Sequence, residues 1–189
     1  MTPPLKWHGG KRYLAPYIHK LASQTTYTHR VITHGGGAAE LWDWPYQGIS
    51  EVLNDINGDL TNFWRVLASK EQFPIFLRQV QATPFSQIEW RNAKATLPNT
   101  QDPVSRAVLF FILCRQSMAG RMQSFSPISR TRTRRGMNEQ VSSWLTAIDG
   151  LPQVHARLSR ILILNDDAIS VIRSQDSPQT LFYCDPPYH

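Results

Sequence analysis

Leu181-Phe182-Tyr183-Cys184-Asp185-Pro186-Pro187-Tyr188 is the stretch on which the fold turns. An apolar run leads directly into an acid, two prolines and an aromatic, so it reads as a short strand that stops where proline removes backbone donors. Continuous apolar strands, without polar alternation, are those of a parallel sheet covered on both faces. A polar loop leaving the carboxyl end of such a strand is where open α/β sheets hold their ligands.

Three further runs have the same character. Arg30 to Thr33 enters Gly35-Gly36-Gly37, Ile49 to Leu53 precedes the turn-forming Asn54-Asp55-Ile56-Asn57-Gly58, and Ile161 to Leu164 precedes Asn165-Asp166-Asp167. Between them Leu60, Phe63, Trp64 and Leu67 recur at helical spacing behind Asp59 as a cap. Val104 to Leu113 forms an apolar helix opened by Asp102 as cap and Pro103 at the first position. From Glu71 to Leu158 the pattern is helical with no persuasive strand. The predicted architecture is a three-layer α/β sheet, residues 1–70 and 159–189, interrupted by a helical insertion over 71–158.

Net charge is +6, a surplus of cations that favours a polyanionic partner. Arg115, Arg121, Arg130, Arg132, Arg134 and Arg135 crowd one stretch rich in glycine, serine and proline, the composition of a loop, so they are the candidate nucleic-acid contacts. A solvated loop that happens to be basic is the plain alternative. No apolar run is long enough to span a bilayer and no signal peptide opens the chain, which points to the cytoplasm. The two cysteines, Cys114 and Cys184, each lie in an apolar run and are expected as buried structural thiols. The six histidines have no partners at zinc-ligand spacing, so no metal is expected.

Asp185-Pro186-Pro187-Tyr188 suits chemistry on an exocyclic amine. Such a nitrogen is a poor nucleophile because its lone pair is delocalised into the ring. A carboxylate and a backbone carbonyl that accept its N–H hydrogens localise that pair, and Tyr188 offers a face on which a flipped base can stack. The glycine loop suits close approach to a cofactor backbone, an acid ending the second strand can accept from ribose hydroxyls, and Asn165-Asp166-Asp167 closes the third strand.

Taken in order, these motifs resemble the Dam-type, D12-class DNA adenine-N6 methyltransferases across essentially the whole chain. The resemblance implies a Rossmann-like sheet that binds S-adenosylmethionine, with Lys6-Trp7-His8-Gly9-Gly10-Lys11 as the N-terminal cofactor motif and Trp7 and Lys11 at the ligand. Gly35, Gly36 and Gly37 match the glycine loop, Asp55 the ribose acid, Asp167 the acid at the cofactor's adenine, and Asp185 to Tyr188 the catalytic loop. Arg115-Gln116-Ser117-Met118-Ala119-Gly120 resembles the segment that contacts double-stranded DNA, within a target-recognition insertion. Asp185 at the head of the tetrapeptide is the adenine-type signature, as against the cytosine-N4 type.

Two departures set further expectations. Ile32-Thr33-His34 stands where the family places Glu-Pro-aromatic, and the chain ends at His189, where family members continue through more strands. The expectation is a truncated relative, weak or inactive alone, whose missing C-terminal half could come from another chain. A catalytically silent DNA-binding remnant is the alternative.

Overall fold

The computed structural model describes residues 1–44, 48–127 and 129–187. Its strands in chain order are β1 (His29–Ile32), β2 (Ser50–Asn54), β3 (Thr133–Arg134), β4 (Met137–Asn138), β5 (Leu162–Leu164) and β6 (Thr180–Tyr183). The α-helices are α1 (Ala15–Ala22), α2 (Ala39–Asp43), α3 (Gly58–Ala68), α4 (Gln72–Ala82), α5 (Gln87–Thr96), α6 (Pro103–Gln116), α7 (Glu139–Asp149), α8 (Leu151–Leu158) and α9 (Ala168–Gln175). The four apolar runs form one sheet in the order β5-β2-β1-β6, every pair parallel. Each strand lies within one residue of its predicted bounds.

Side-chain alternation splits the sheet into two buried faces. Val31 and Val52, partners in register, turn to one face and meet Val171 of α9. Ile32 and Leu53, the next pair, turn to the other and join the large core of α3 and α6. Helices therefore cover both faces, and the three-layer α/β reading stands. The α6 helix is apolar on nearly all sides because it is surrounded: Phe111 stacks on Phe63 of α3 with ring centroids 5.8 Å apart, and Trp144 of α7 packs on Phe111 from 5.2 Å. A single cluster runs from Leu5 and Ile32 through α6 to Ile161, so the helices between β2 and β5 share the sheet's core.

Helix starts follow local chemistry. Asp102 caps α6, its Oδ2 accepting from Ser105 N–H at 2.8 Å ahead of Pro103, as the sequence predicts. For α3 the cap is Asn57 and not Asp59. Asn57 Oδ1 accepts from the backbone N–H groups of Asp59 and Leu60 at 3.0 and 3.1 Å, and Asp59 instead binds Arg106 of α6 at 2.5 Å. The helix starts ahead of the point its apolar spacing suggests because Gly58 already has helical geometry. Within the arginine stretch, predicted to be plain loop, β3 and β4 pair antiparallel across Arg135 and Gly136, whose φ values of 57° and 72° make the tight turn that matches strand twist. Strands of two residues each carry no hydrophobic pattern from which to be read.

Buried charge locks the amino-terminal half of the sheet. Arg30 and Glu51 face each other in register, 1% and 5% exposed, and Arg30 Nη2 donates to Glu51 Oε1. Arg157 of α8 grips both Glu51 oxygens at 2.6 and 2.7 Å, and the Arg30 guanidinium lies 4.0 Å from the Trp44 ring centroid. Burial pushes Glu51 up, but the Arg157 hydrogen bonds and the Arg30 charge outweigh it and leave its pKa below the ordinary value of 4.5. A depressed acid contributes stability above that ordinary value and loses it as pH falls through the folded value. Glu51→Gln is therefore expected to cost about 3–5 kcal/mol in urea denaturation at pH 7, because two arginines stay buried without their anion. The gap to the wild type should close as pH falls below the ordinary value; a gap independent of pH would contradict the assignment.

Candidate active site

Asn54 gathers the loops at the carboxyl edge of the sheet. It ends β2 at 1% exposure, and its Nδ2 donates to the carbonyls of Thr33, after β1, and Asp166, after β5, at 2.9 and 3.0 Å. Its Oδ1 accepts from Asp166 N–H at 3.0 Å, and its own carbonyl accepts from Gly35 N–H at 2.7 Å. One buried amide thus joins three strand ends, a role hidden in sequence by the adjoining turn motif.

The glycine loop follows from these anchors. Gly36, at φ +48°, donates its N–H to Asp55 Oδ2 at 2.8 Å, while Asp55 Oδ1 accepts from Asn57 N–H at 2.9 Å. A Cβ on Gly37 would stand 2.5 Å from Trp7 Cβ, and one on Gly36 would stand 2.8 Å from Trp7 Nε1. Gly36 and Gly37 are therefore required by close packing on Trp7, and Gly35 by Leu53 at 2.7 Å, whereas their sequence pattern suggests close approach of a ligand. Asp55 shapes the loop as well as lining the space in front of it.

That space is a cleft of about 730 Å³, of the size used for small-molecule ligands. Its walls bring together residues 7–11, the glycine loop, Asp55, Asp166, Asp167 and Asp185 to Pro187. Lys11 Nζ binds Asp185 Oδ1 at 2.5 Å, closing the chain's first motif onto its last. Asp167 faces the cleft while its Oδ1 caps α9, accepting from Ile169 and Ser170 N–H groups at 3.0 and 3.1 Å. His34 Nδ1 lies 2.9 Å from Thr33 Oγ1. Tyr188 lies outside the described residues.

With those motifs assembled in one cleft, comparison with protein families is decisive. A family model for D12 class N6 adenine-specific DNA methyltransferase matches residues 7–189. The chain belongs to that family. D12 membership makes it an S-adenosylmethionine-dependent DNA methyltransferase by descent and supports the Rossmann-like reading of the sheet. A search of curated proteins gave no match. Among the described residues, no helix of this D12 protein is long and apolar enough to cross a membrane.

The basic stretch divides into two populations. Arg121, Arg130, Arg132, Arg134 and Arg135 lie at the surface. Arg132 lies 3.9 Å from Glu139 and Arg135 lies 3.8 Å from Asp149, both loose surface pairs. Arg115 departs from the expectation that it meets DNA: it is 8% exposed, on the buried face of α6, and donates to the Ser143 carbonyl of α7 at 2.7 Å. Burial lowers its pKa to about 10, so it stays charged inside the protein. The cysteines also separate. Cys114 is buried, its thiol donating to the Lys6 carbonyl at 2.9 Å and pushed by burial to about 12, but Cys184 is exposed, contrary to expectation, because β6 is an edge strand and the chain leaves the sheet there. The same Lys6 carbonyl would stand 1.8 Å from a Cβ on Gly120, so the segment after α6 docks on the N-terminal motif through glycine alone. Beside it, a second cavity of about 480 Å³ is lined by Trp7, His8 and residues 120–123.

Glu40, which sequence reasoning missed, also lines the cleft. It sits in the first turn of α2, 5% exposed, and its Oε1 has no partner among the described residues. Burial pushes its carboxyl up to about 7; a bond from its own backbone opposes this and the Asp185 charge adds to it. The only trace in the sequence is an acid just past the glycine loop, beside Ala39, Leu41 and Trp42, which are buried. A raised acid costs folding energy once charged, so the cost develops as pH rises past 4.5 and is complete above about 7. Glu40→Gln is expected to be more stable than the wild type at pH 8, by up to about 3 kcal/mol, and to match it at pH 4. Thermal melts at the two pH values check this; no stabilisation at pH 8 would refute it.

Proposed function

We propose that the cleft binds S-adenosylmethionine and that this chain methylates adenine N6 in double-stranded DNA, with residues 71–158 serving as the target-recognition region. The observation that carries the reading is the convergence of Trp7 to Lys11, the glycine loop, Asp55, Asp167 and Asp185 on one cleft at the carboxyl edge of a parallel sheet. The cofactor supplies an electrophilic methyl group on its sulfonium. The residues present suit it: Asp55 and Asp167 face the β2 and β5 side, where remaining carboxylate lone pairs can accept from ribose hydroxyls and the adenine amine, and Trp7 offers an apolar wall.

The chain's own part in the reaction lies at Asp185. Its carboxylate and the Pro186 carbonyl accept the two hydrogens of the target amine, which localises the nitrogen lone pair. Lys11 fixes the Asp185 carboxylate in place, and a carboxylate so held keeps lone pairs for the amine. The nitrogen takes the methyl group directly and loses one proton to solvent, so neither cysteine takes part. Tyr188 is the proposed stacking face for the flipped base. The cavity beside Trp7 and His8, bounded by Arg121 and Gln123, is placed to receive DNA next to the target base.

The surface arginines Arg121, Arg130, Arg132, Arg134 and Arg135 are proposed to grip phosphate, or a groove edge from the tip of the β3-β4 ribbon. Arg115 is assigned a structural role. Calorimetric titration with S-adenosylmethionine, paired with a methyl-transfer assay on adenine-containing DNA, tests the whole reading. Saturable binding is expected in the wild type and in Asp185→Ala, with transfer abolished in the latter. A folded wild type that binds DNA but no cofactor would instead make the chain a silent DNA-binding relative.

The arginine assignment has its own check. Replacing Arg130, Arg132 and Arg134 with glutamine should flatten the plot of log affinity for DNA against log salt, by about 0.9 for each phosphate the variant no longer neutralises. Arg115→Gln should leave that slope unchanged. A slope that ignores the triple variant would remove the ribbon from the interface.

A further inference from the structure

Among the described residues, buried side-chain atoms without a partner belong to Arg30, Glu40, Trp64, Arg115 and Ser142, and of these residues only Glu40 lines the cleft. A buried carboxylate oxygen with no donor is costly, and such a cost persists where a ligand removes it. The missing partner is a donor, and for a carboxylate the strongest donor is a cation.

The sheet order indicates which cation. Asp55 and Asp167 follow β2 and β5, on one side of the cleft, whereas Glu40, Lys11 and Asp185 cluster on the side of β1 and β6. A ligand whose nucleoside lies toward the first pair extends its other end toward the second group. In S-adenosylmethionine that other end is an amino acid bearing an ammonium group. Resting on the cofactor reading of the cleft, we infer that Glu40 is the acceptor for this ammonium group and a binding residue of the site. The neighbouring ammonium of the chain itself, on Lys11, is held by Asp185 at 2.5 Å. An ammonium docked against Glu40 also restores the charge that burial discourages, so the acid is held ready for a cation.

Three ligands separate this from a structural role. S-adenosylmethionine carries the amino-acid end and the sulfonium, S-adenosylhomocysteine carries the amino-acid end alone, and 5′-methylthioadenosine carries neither. Calorimetric titration of Glu40→Gln at pH 8 is expected to show the first two weakened alike, at least about tenfold, with 5′-methylthioadenosine within about twofold of the wild type. Circular dichroism at the same pH confirms that the variant is folded, and Glu40→Asp, which keeps the charge at shorter reach, should recover part of the loss.

Equal weakening of all three ligands would overturn the inference, since Glu40 would then only support the loop. Weakening of S-adenosylmethionine alone would overturn it too, in favour of the sulfonium. If the wild type binds all three and Glu40→Gln changes none, the inference falls while the cleft assignment stands. A wild type that binds none of them removes both.

Discussion

The arrangement at the carboxyl edge of the sheet depends on the side-chain amide of Asn54. Parallel strands end in carbonyl and N–H groups that have lost their ladder partners, and at a ligand site those groups cannot all be left to water. Asn54 meets the requirement with one donor nitrogen shared between Thr33 and Asp166 and one acceptor oxygen bound to the Asp166 N–H. The crossings after β1 and β5 are thereby fixed relative to β2. The glycine loop, the Asp55 turn and the start of α9 inherit their positions from it, and so does the cleft that they enclose. An aspartate in its place would keep the shape and lose both donations.

Much of this was legible in the sequence, for identifiable reasons. The parallel strands announced themselves because helices pack on both faces of the sheet, most completely over β1 and β2, which leaves no polar alternation to confuse with a helix. The α6 helix did so because its cap, first-turn proline and apolar body all agree. What stayed hidden depends on contacts between distant residues. Arg115 looked like its exposed neighbours by type and position, but it falls on the face of α6 that meets α7. The glycines looked like room for a ligand, and the packing of Trp7 against them gives a different cause for the same residues. Glu40 carried no pattern, since an acid in a short helix becomes informative only when its burial is known.

Buried charge serves two ends in this fold. Glu51 is surrounded by Arg30 and Arg157, so its charge is compensated and its geometry is fixed between β1, β2 and α8. Glu40 has the burial with less compensation: one oxygen lacks a partner among the described residues, and its own backbone bond and the Arg30 and Lys11 charges do not outweigh burial. The contrast matters because a compensated acid at the base of a sheet specifies the fold, whereas a less compensated one at the mouth of a cleft makes the empty protein less stable than it could be. The amino-terminal end of the strands thus holds the paired acid, and the carboxyl end the acid with an unpartnered oxygen.

The cleft and the cavity beside residues 120–123 share Trp7 and His8 as a common wall, and the segment behind that wall is pinned at Lys6 by Gly120 and by the Cys114 thiol. Such a partition has a thermodynamic consequence. A ligand that favours one position of the Trp7 ring changes the free energy of filling the space on its other side, and linkage requires the effect to be equal in both directions. The backbone next to the ring is held to α6 by the Cys114 thiol and to the segment that follows it by the close approach of Gly120. The Trp7 ring itself packs on Gly36 and Gly37, so a ligand in either cavity that displaced it would have to break that packing.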